Sequence, residues 1–172
     1  MSAKADLIRL CYASKASFTS RSNQGVIEPS VARILMQSRK NNPRHRIGGV
    51  LHYANGYFFQ CLEGNTTEVD STFARIGQDP RHHSVQVLSR GHIDQRLFGD
   101  WSMKYLAVED RLRAVLHRHS HSSFNPFEFD QALIQELLLA CVGGVDPTEP
   151  TRSGSSEKPG WLQRASRILR RH

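Results

Sequence analysis

Cysteine is scarce: the 172 residues hold 3, at Cys11, Cys61 and Cys141. An odd, widely spaced set offers neither a disulfide framework nor the close pairs of a zinc knuckle. No apolar run is long enough to cross a bilayer, and the opening Met-Ser-Ala-Lys-Ala-Asp lacks the apolar core of a secretion signal. Together these absences predict a reducing, cytoplasmic setting and no integral membrane segment. Neither carboxylates nor cysteines stand at ligand spacing around His82-His83 or the alternating His117, His119 and His121, so no metal is expected. Internal repeats are lacking too. Acid is short in one stretch: residues 151–172 hold Arg152, Lys158, Arg164, Arg167, Arg170 and Arg171 against Glu157 alone, most of the formal net charge of +7. The remainder is near balance, so the basic pI is a property of the tail and no signature of a nucleic-acid-binding domain.

What is present is a succession of short strands and amphipathic helices. Residues 5–12 read as a first strand, followed by a Ser/Thr/Lys-rich loop over 14–27. Glu28-Pro29 opens a helix, proline being tolerated in a first turn. Val31, Ile34, Leu35 and Ser38 follow helical spacing, and Arg39-Lys40-Asn41-Asn42 ahead of Pro43 closes it. Residues 47–53 and 57–62 form two strands around Asn55-Gly56, a strong hairpin signal. Asn65-Thr66-Thr67-Glu68 has the form of a capping box. The helix it opens carries Val69, Phe73 and Ile76 and ends near Asp79-Pro80. Residues 84–88 and 101–108 read as two more strands. The order β-α-β-β-α-β-β predicts an α+β, ferredoxin-like sandwich with both helices on one face. A C-terminal helical cap follows: a short helix over 110–119, a turn at Phe124-Asn125-Pro126-Phe127, and a strongly apolar helix over 129–142. Leu133, Leu137, Ala140 and Cys141 line one side of that last helix. It must be covered, by the open sheet face or by another subunit. Residues 143–160 are a Pro/Gly/Ser/Thr-rich linker. A basic amphipathic run then places Trp161, Leu162, Ala165, Ile168 and Leu169 on one face. The expected organisation is a sandwich domain over 5–108, a cap over 109–143, and a linker with its tail over 144–172.

Four polar and aromatic features stand out against this scaffold: Tyr12, Asn41-Asn42, Gln60 and Trp101-Ser102-Met103. A strand amide is costly to bury unless its donors and acceptors are met. A Tyr, a Gln and an Asn pair converging between apolar helices point to a planar, hydrogen-bonding ligand. Two helices on a sheet make a groove that Ile34 and Ile76 can wall, with Tyr12 and Gln60 as its floor. Asn42 can meet a donor–acceptor edge, and Arg75 and Arg81 can meet phosphate or ribityl oxygens at the mouth. That arrangement suits an isoalloxazine ring. Taken singly, each residue has a plainer role. Tyr12 reads as a strand tyrosine, Asn41-Asn42 as a helix C-cap, and Trp101 and Met103 as core residues sharing one strand face.

The stretch from residue 7 to about 105 resembles a BLUF domain, the blue-light sensor family that uses flavin. The motifs carrying the resemblance are Leu10-Cys11-Tyr12-Ala13-Ser14, Asn41-Asn42, Ile47-Gly48-Gly49-Val50-Leu51, Gly56-Tyr57-Phe58-Phe59-Gln60-Cys61-Leu62-Glu63-Gly64, Asp79-Pro80-Arg81-His82-His83 and Trp101-Ser102-Met103. The resemblance implies FAD bound without a covalent link. It also implies a photoactive Tyr12 and a switching Gln60. Asn42 would lie on the flavin's polar edge with Asn41 and Ser38 close by, Ile34 and Ile76 as apolar flanks, and Arg75, Asp79, Arg81 and His82 near the ring edge and tail. Trp101 and Met103 match the strand linked to output. Light would draw an electron and a proton from Tyr12 and return them, leaving Gln60 rotated or tautomerised. Two features depart from the family pattern. Its usual Ile-Thr-Gly is Ile47-Gly48-Gly49 here, and the loop before the first helix is long.

The chain beyond residue 108 is too short for an output enzyme. The expected protein is therefore not an enzyme, and it signals through a protein partner or a homo-oligomer by way of the apolar helix. No specific pattern ties the basic tail to nucleic acid or membrane. Two other readings of the same fold are an acylphosphatase-like hydrolase and an RNA-binding module. The first wants a tight, Gly-rich, Arg-bearing loop after the first strand, where Ala13-Ser14-Lys15 stands. The second wants aromatic and basic side chains on an open sheet face, where Tyr57, Phe58 and Phe59 supply only the aromatics.

Overall fold

A computed structural model describes residues 6–20, 27–106 and 110–143. The linker and basic tail expected over 144–172 lie outside the described residues, as do the start of the first expected strand, part of the long loop, and residues 107–109. The elements run β1 (Leu7–Ala16), α1 (Pro29–Asn41), β2 (Gly48–Ala54), β3 (Tyr57–Asn65), α2 (Thr66–Gly77), β4 (His82–His92), β5 (Lys104–Tyr105), α3 (Asp110–Arg118) and α4 (Gln131–Gly143). The strand order is β4-β1-β3-β2-β5, with β5 alone parallel to its neighbour. This is the ferredoxin-like α+β sandwich read from the sequence.

Local chemistry sets the element ends. Glu28 caps α1, its carboxylate accepting from Ser30 N at 2.7 Å and Val31 N at 3.3 Å. Asn65 caps α2, accepting from Thr67 N at 3.1 Å, while Glu68 turns away from the cap to His45 Nδ1 at 2.6 Å. Asn55 and Gly56 take φ of 54° and 78°, the left-handed pair that a two-residue hairpin needs.

Alternation along β1, β2 and β3 gives the sheet two apolar faces. Ile8, Leu10, Leu51 and Leu62 meet Val31 and Leu35 of α1 and Val69 of α2. Cys11, Val50, Phe59 and Cys61 on the other face meet Phe98, Leu112, Leu133, Leu137 and Cys141. The apolar α4 is thus covered within the chain, by the face that α1 and α2 leave open. At the edge of this second core Glu63 is fully buried, paired with Arg9 Nε at 2.6 Å and accepting from Phe98 N at 2.9 Å.

Three strands differ most from their sequence outlines. β1 runs four residues past Tyr12, and β4 extends from His82 to His92, because each pairs with the other along most of its length. Backbone pairing needs no apolar side chains, so the polar ends of both strands look like loop in sequence. The strand expected over 101–108 shrinks to Lys104–Tyr105 among the described residues. Side chains occupy its preceding carbonyls: Asn42 Nδ2 donates to Ser102 O at 2.7 Å and Arg39 Nε to Met103 O at 2.9 Å. The irregular backbone also separates Trp101 from Met103. Met103 joins the core beneath α1 and α2, and Trp101 packs against the core beneath α4, so the two do not share a strand face.

Gly48 makes room for this segment, and Gly49 for the neighbouring strand. A Cβ on Gly48 would sit 2.2 Å from the Phe98 carbonyl oxygen, and one on Gly49 would sit 2.1 Å from the Cys61 carbonyl oxygen of β3.

Candidate functional site

The antiparallel register of β1 and β3 sets Tyr12 directly opposite Gln60. Both are buried on the α1/α2 side. The Tyr12 hydroxyl donates to Gln60 Oε1. Gln60 Nε2 donates to Met103 Sδ at 3.5 Å, a weak acceptor for a buried amide. Burial pushes the Tyr12 phenol well above its ordinary range, and the Asp79 carboxylate adds to the shift. Tyr12 is therefore a neutral donor whose proton is expensive to lose alone.

A cavity of about 170 Å³ opens over this pair, between α1 and α2. Ile34, Ser38 and Asn41 reach it from α1, with Asn42 just beyond the helix end, and Arg75 and Ile76 reach it from α2. Asp79, Arg81 and His82 close the end between α2 and β4. Each is fixed by partners. Arg75 Nη2 donates to Thr72 Oγ1 at 3.0 Å, and Arg81 Nε donates to Asp79 Oδ1 at 2.9 Å while its Nη2 donates to Gln37 Oε1 at 2.8 Å. The Arg81 guanidinium holds the Asp79 carboxyl below the usual carboxylate range. His82 Nε2 donates to the Ile76 carbonyl at 2.7 Å, and its Nδ1 is paired with Ser14 Oγ at 2.8 Å. This braces the end of α2 against β1.

All eleven residues singled out from the sequence as ligand contacts line this one cavity. Trp101 and Met103 do not. Met103 reaches it through Gln60, while Trp101 stacks away, its ring centroid 6.4 Å from that of Phe98 and 4.5 Å from Lys104 Nζ. Five lining residues were not singled out: Gln37, Leu51, Phe58, Leu62 and Thr72. Phe58 and Leu62 flank Gln60 at strand period two, and Gln37 sits one helical turn past Ile34, so spacing alone could have found them.

The family model described as BLUF, sensors of blue-light using FAD, matches residues 7–104. The chain belongs to the BLUF family. Among solved structures, photo-activated BlsA superposes with a TM-score of 0.74 at 31% identity, over 83% of this chain and 99% of that one. Dark-state BlrB gives 0.62 at 27% identity, over 81% and 98%. The photoactivated adenylate cyclase subunit beta of Euglena longa is 27% identical over 151 residues, 84% of this chain. The chain spans only 17% of that curated relative's length.

As a BLUF protein, the chain is a blue-light sensor that binds a flavin. The matched residues are the family's light-sensing domain. The cavity suits a flavin on its own chemistry. It has apolar walls at Ile34, Leu51, Leu62 and Ile76, amides at Asn41, Asn42 and Gln60, and a buried Gln60 N–H whose acceptor is only a thioether. The RNA-binding alternative meets a covered sheet. Phe58 faces the cavity, Phe59 lies under α4, and Tyr57 packs edge-on against Phe127 at 5.9 Å. Among the described residues no helix is long and apolar enough to cross a membrane.

Proposed function

We propose that the chain is an FAD-dependent photoswitch in which Tyr12 and Gln60 carry the switching step and the C-terminal helices pass the result to a protein partner. The observation that carries this reading is the hydrogen bond from Tyr12 to Gln60 across a directly opposed strand pair, with the far end of the same amide on Met103. A bound flavin supplies visible absorption and an excited state able to take an electron. Tyr12 would be the residue to give that electron, and because its phenolate is disfavoured by burial, its proton would leave along the bond to Gln60. Once Tyr12 had recovered both, Gln60 would be left in a second arrangement, rotated or tautomerised. A buried polar network has few satisfied arrangements, so one amide change redirects its neighbours.

Asn42, with Asn41 and Ser38, would hold the polar edge of the ring, with Ile34 and Ile76 as its apolar flanks. Arg75, Asp79, Arg81 and His82 would hold the ring edge and tail. Residues 5–108 act as the sensor and 109–143 as the output cap, working in a homo-oligomer or against a downstream protein.

Blue illumination of the flavin-loaded protein should move its visible band reversibly to the red. Tyr12→Phe and Gln60→Leu should keep the flavin and lose that shift. A normal photocycle in either variant would overturn the assignment of the switch.

A further inference from the structure

Lys104 is only 1% exposed, a rare position for an ammonium. It is the first residue of β5 and follows Met103 directly. Its side chain crosses to the cap side of the sheet, where Nζ donates to the Cys141 carbonyl at 2.9 Å and lies 4.5 Å from the Trp101 ring centroid. Cys141 lies in the C-terminal part of α4 as described, toward the negative end of the helix dipole. A cation there stabilises the helix end, and the face of an indole ring attracts it as well. Arg111 of α3 holds the same end from outside, donating to the Gly143 carbonyl at 3.1 Å.

The other side of this short segment meets the switch. Met103 Sδ receives the Gln60 N–H at 3.5 Å, and the Met103 and Ser102 carbonyls are held by Arg39 and Asn42 beside the cavity. Gln60 and the end of α4 are therefore joined through two consecutive residues. Among the described residues this segment pairs with β2 through Lys104 and Tyr105, and Leu106 N donates to the Leu51 carbonyl.

We propose that Lys104 is a positioning residue that transmits the state of Gln60 to α4 by latching its C-terminal turn. The proposal rests on the Tyr12–Gln60 switch above and names its outlet. When Gln60 re-pairs, its N–H leaves Met103, Met103 reseats, and β5 moves with it. Lys104 then gives up the Cys141 carbonyl. A buried ammonium is costly without a partner, so leaving the Cys141 carbonyl carries Lys104 to another acceptor or to water. The last turn of α4 loosens and its apolar face becomes available to a partner.

The test follows two signals in the flavin-loaded full chain, in light and in darkness. One is the visible red shift, and the other is amide hydrogen exchange of the peptide covering the end of α4. In the parent protein light should shift the band and speed exchange at that helix end on the order of fivefold. Lys104→Met keeps the length and apolar stem without the charge. It should retain the red shift and show the same exchange in light as in darkness. Lys104→Arg should restore part of the difference. An undiminished light-dependent change in Lys104→Met overturns the latch. So does a parent protein that shifts its band with no change at α4, a result that needs no variant to fold. A parent protein with no red shift defeats the switch beneath the proposal and the latch with it.

Discussion

Glu63 shows how much rests on single side chains. It is fully buried, and Arg9 Nε and Phe98 N are its partners. Through Phe98 N it also anchors the turn that leads to Trp101. Arg9→Met should leave an uncompensated carboxylate in the core and cost about 3–5 kcal/mol, read as a lower urea midpoint. Glu63→Gln, which keeps the acceptor for Phe98 N without the charge, should weaken the Arg9→Met defect if added to it. Additive losses would contradict that account. Polar residues of this kind are legible in sequence because they stand against an apolar background. Tyr12, Asn42 and Gln60 were found that way, and the structure gathers them around one cavity. Leu51, Phe58 and Leu62 line the same space yet look like any core residue, since lining a cavity and filling a core call for the same apolar side chains.

At the level of elements, helices and the central hairpin follow from spacing and caps, whereas the edge strands do not. β4 is long because β1 offers it a backbone partner, and β5 is short because Asn42 and Arg39 claim the carbonyls before it. Neither fact has a compositional trace. The double glycine at the start of β2 belongs to the same problem. In sequence Gly48 is only a departure from the family's Ile-Thr-Gly, but in the fold its bare Cα admits the Phe98 carbonyl. Gly48→Thr, which restores the family's usual residue, should push the turn from Phe98 to Trp101 outward. We expect a loss of about 1–3 kcal/mol and a changed Trp101 fluorescence in the dark protein. A variant as stable as the parent with unaltered emission would show that the turn does not need the space.

At the scale of the whole molecule, the described residues form a sheet with a buried core on each side, and stability should report on both. His52 lies under the cap, edge-on to Phe124 at 4.5 Å, and burial pushes its pKa down to about 4. The unfolded chain takes up that proton below about pH 6.5, and the folded chain only near pH 4. Stability from this group is therefore complete above pH 6.5 and is lost as pH falls toward 4. The loss should be about 2 kcal/mol by pH 5. Urea titrations at pH 7 and pH 5 should show that extra loss in the parent and not in His52→Phe, and equal losses would refute it. The two cores share β1 and β3, where Tyr12 faces one side and Cys11 the other, and Gln60 faces one side and Cys61 the other. Such a partition imposes reciprocity. Whatever free energy the lit arrangement spends on loosening the cap, a partner gripping the loosened cap returns to the lit arrangement. The receiver of the signal thereby becomes a second input to the sensor.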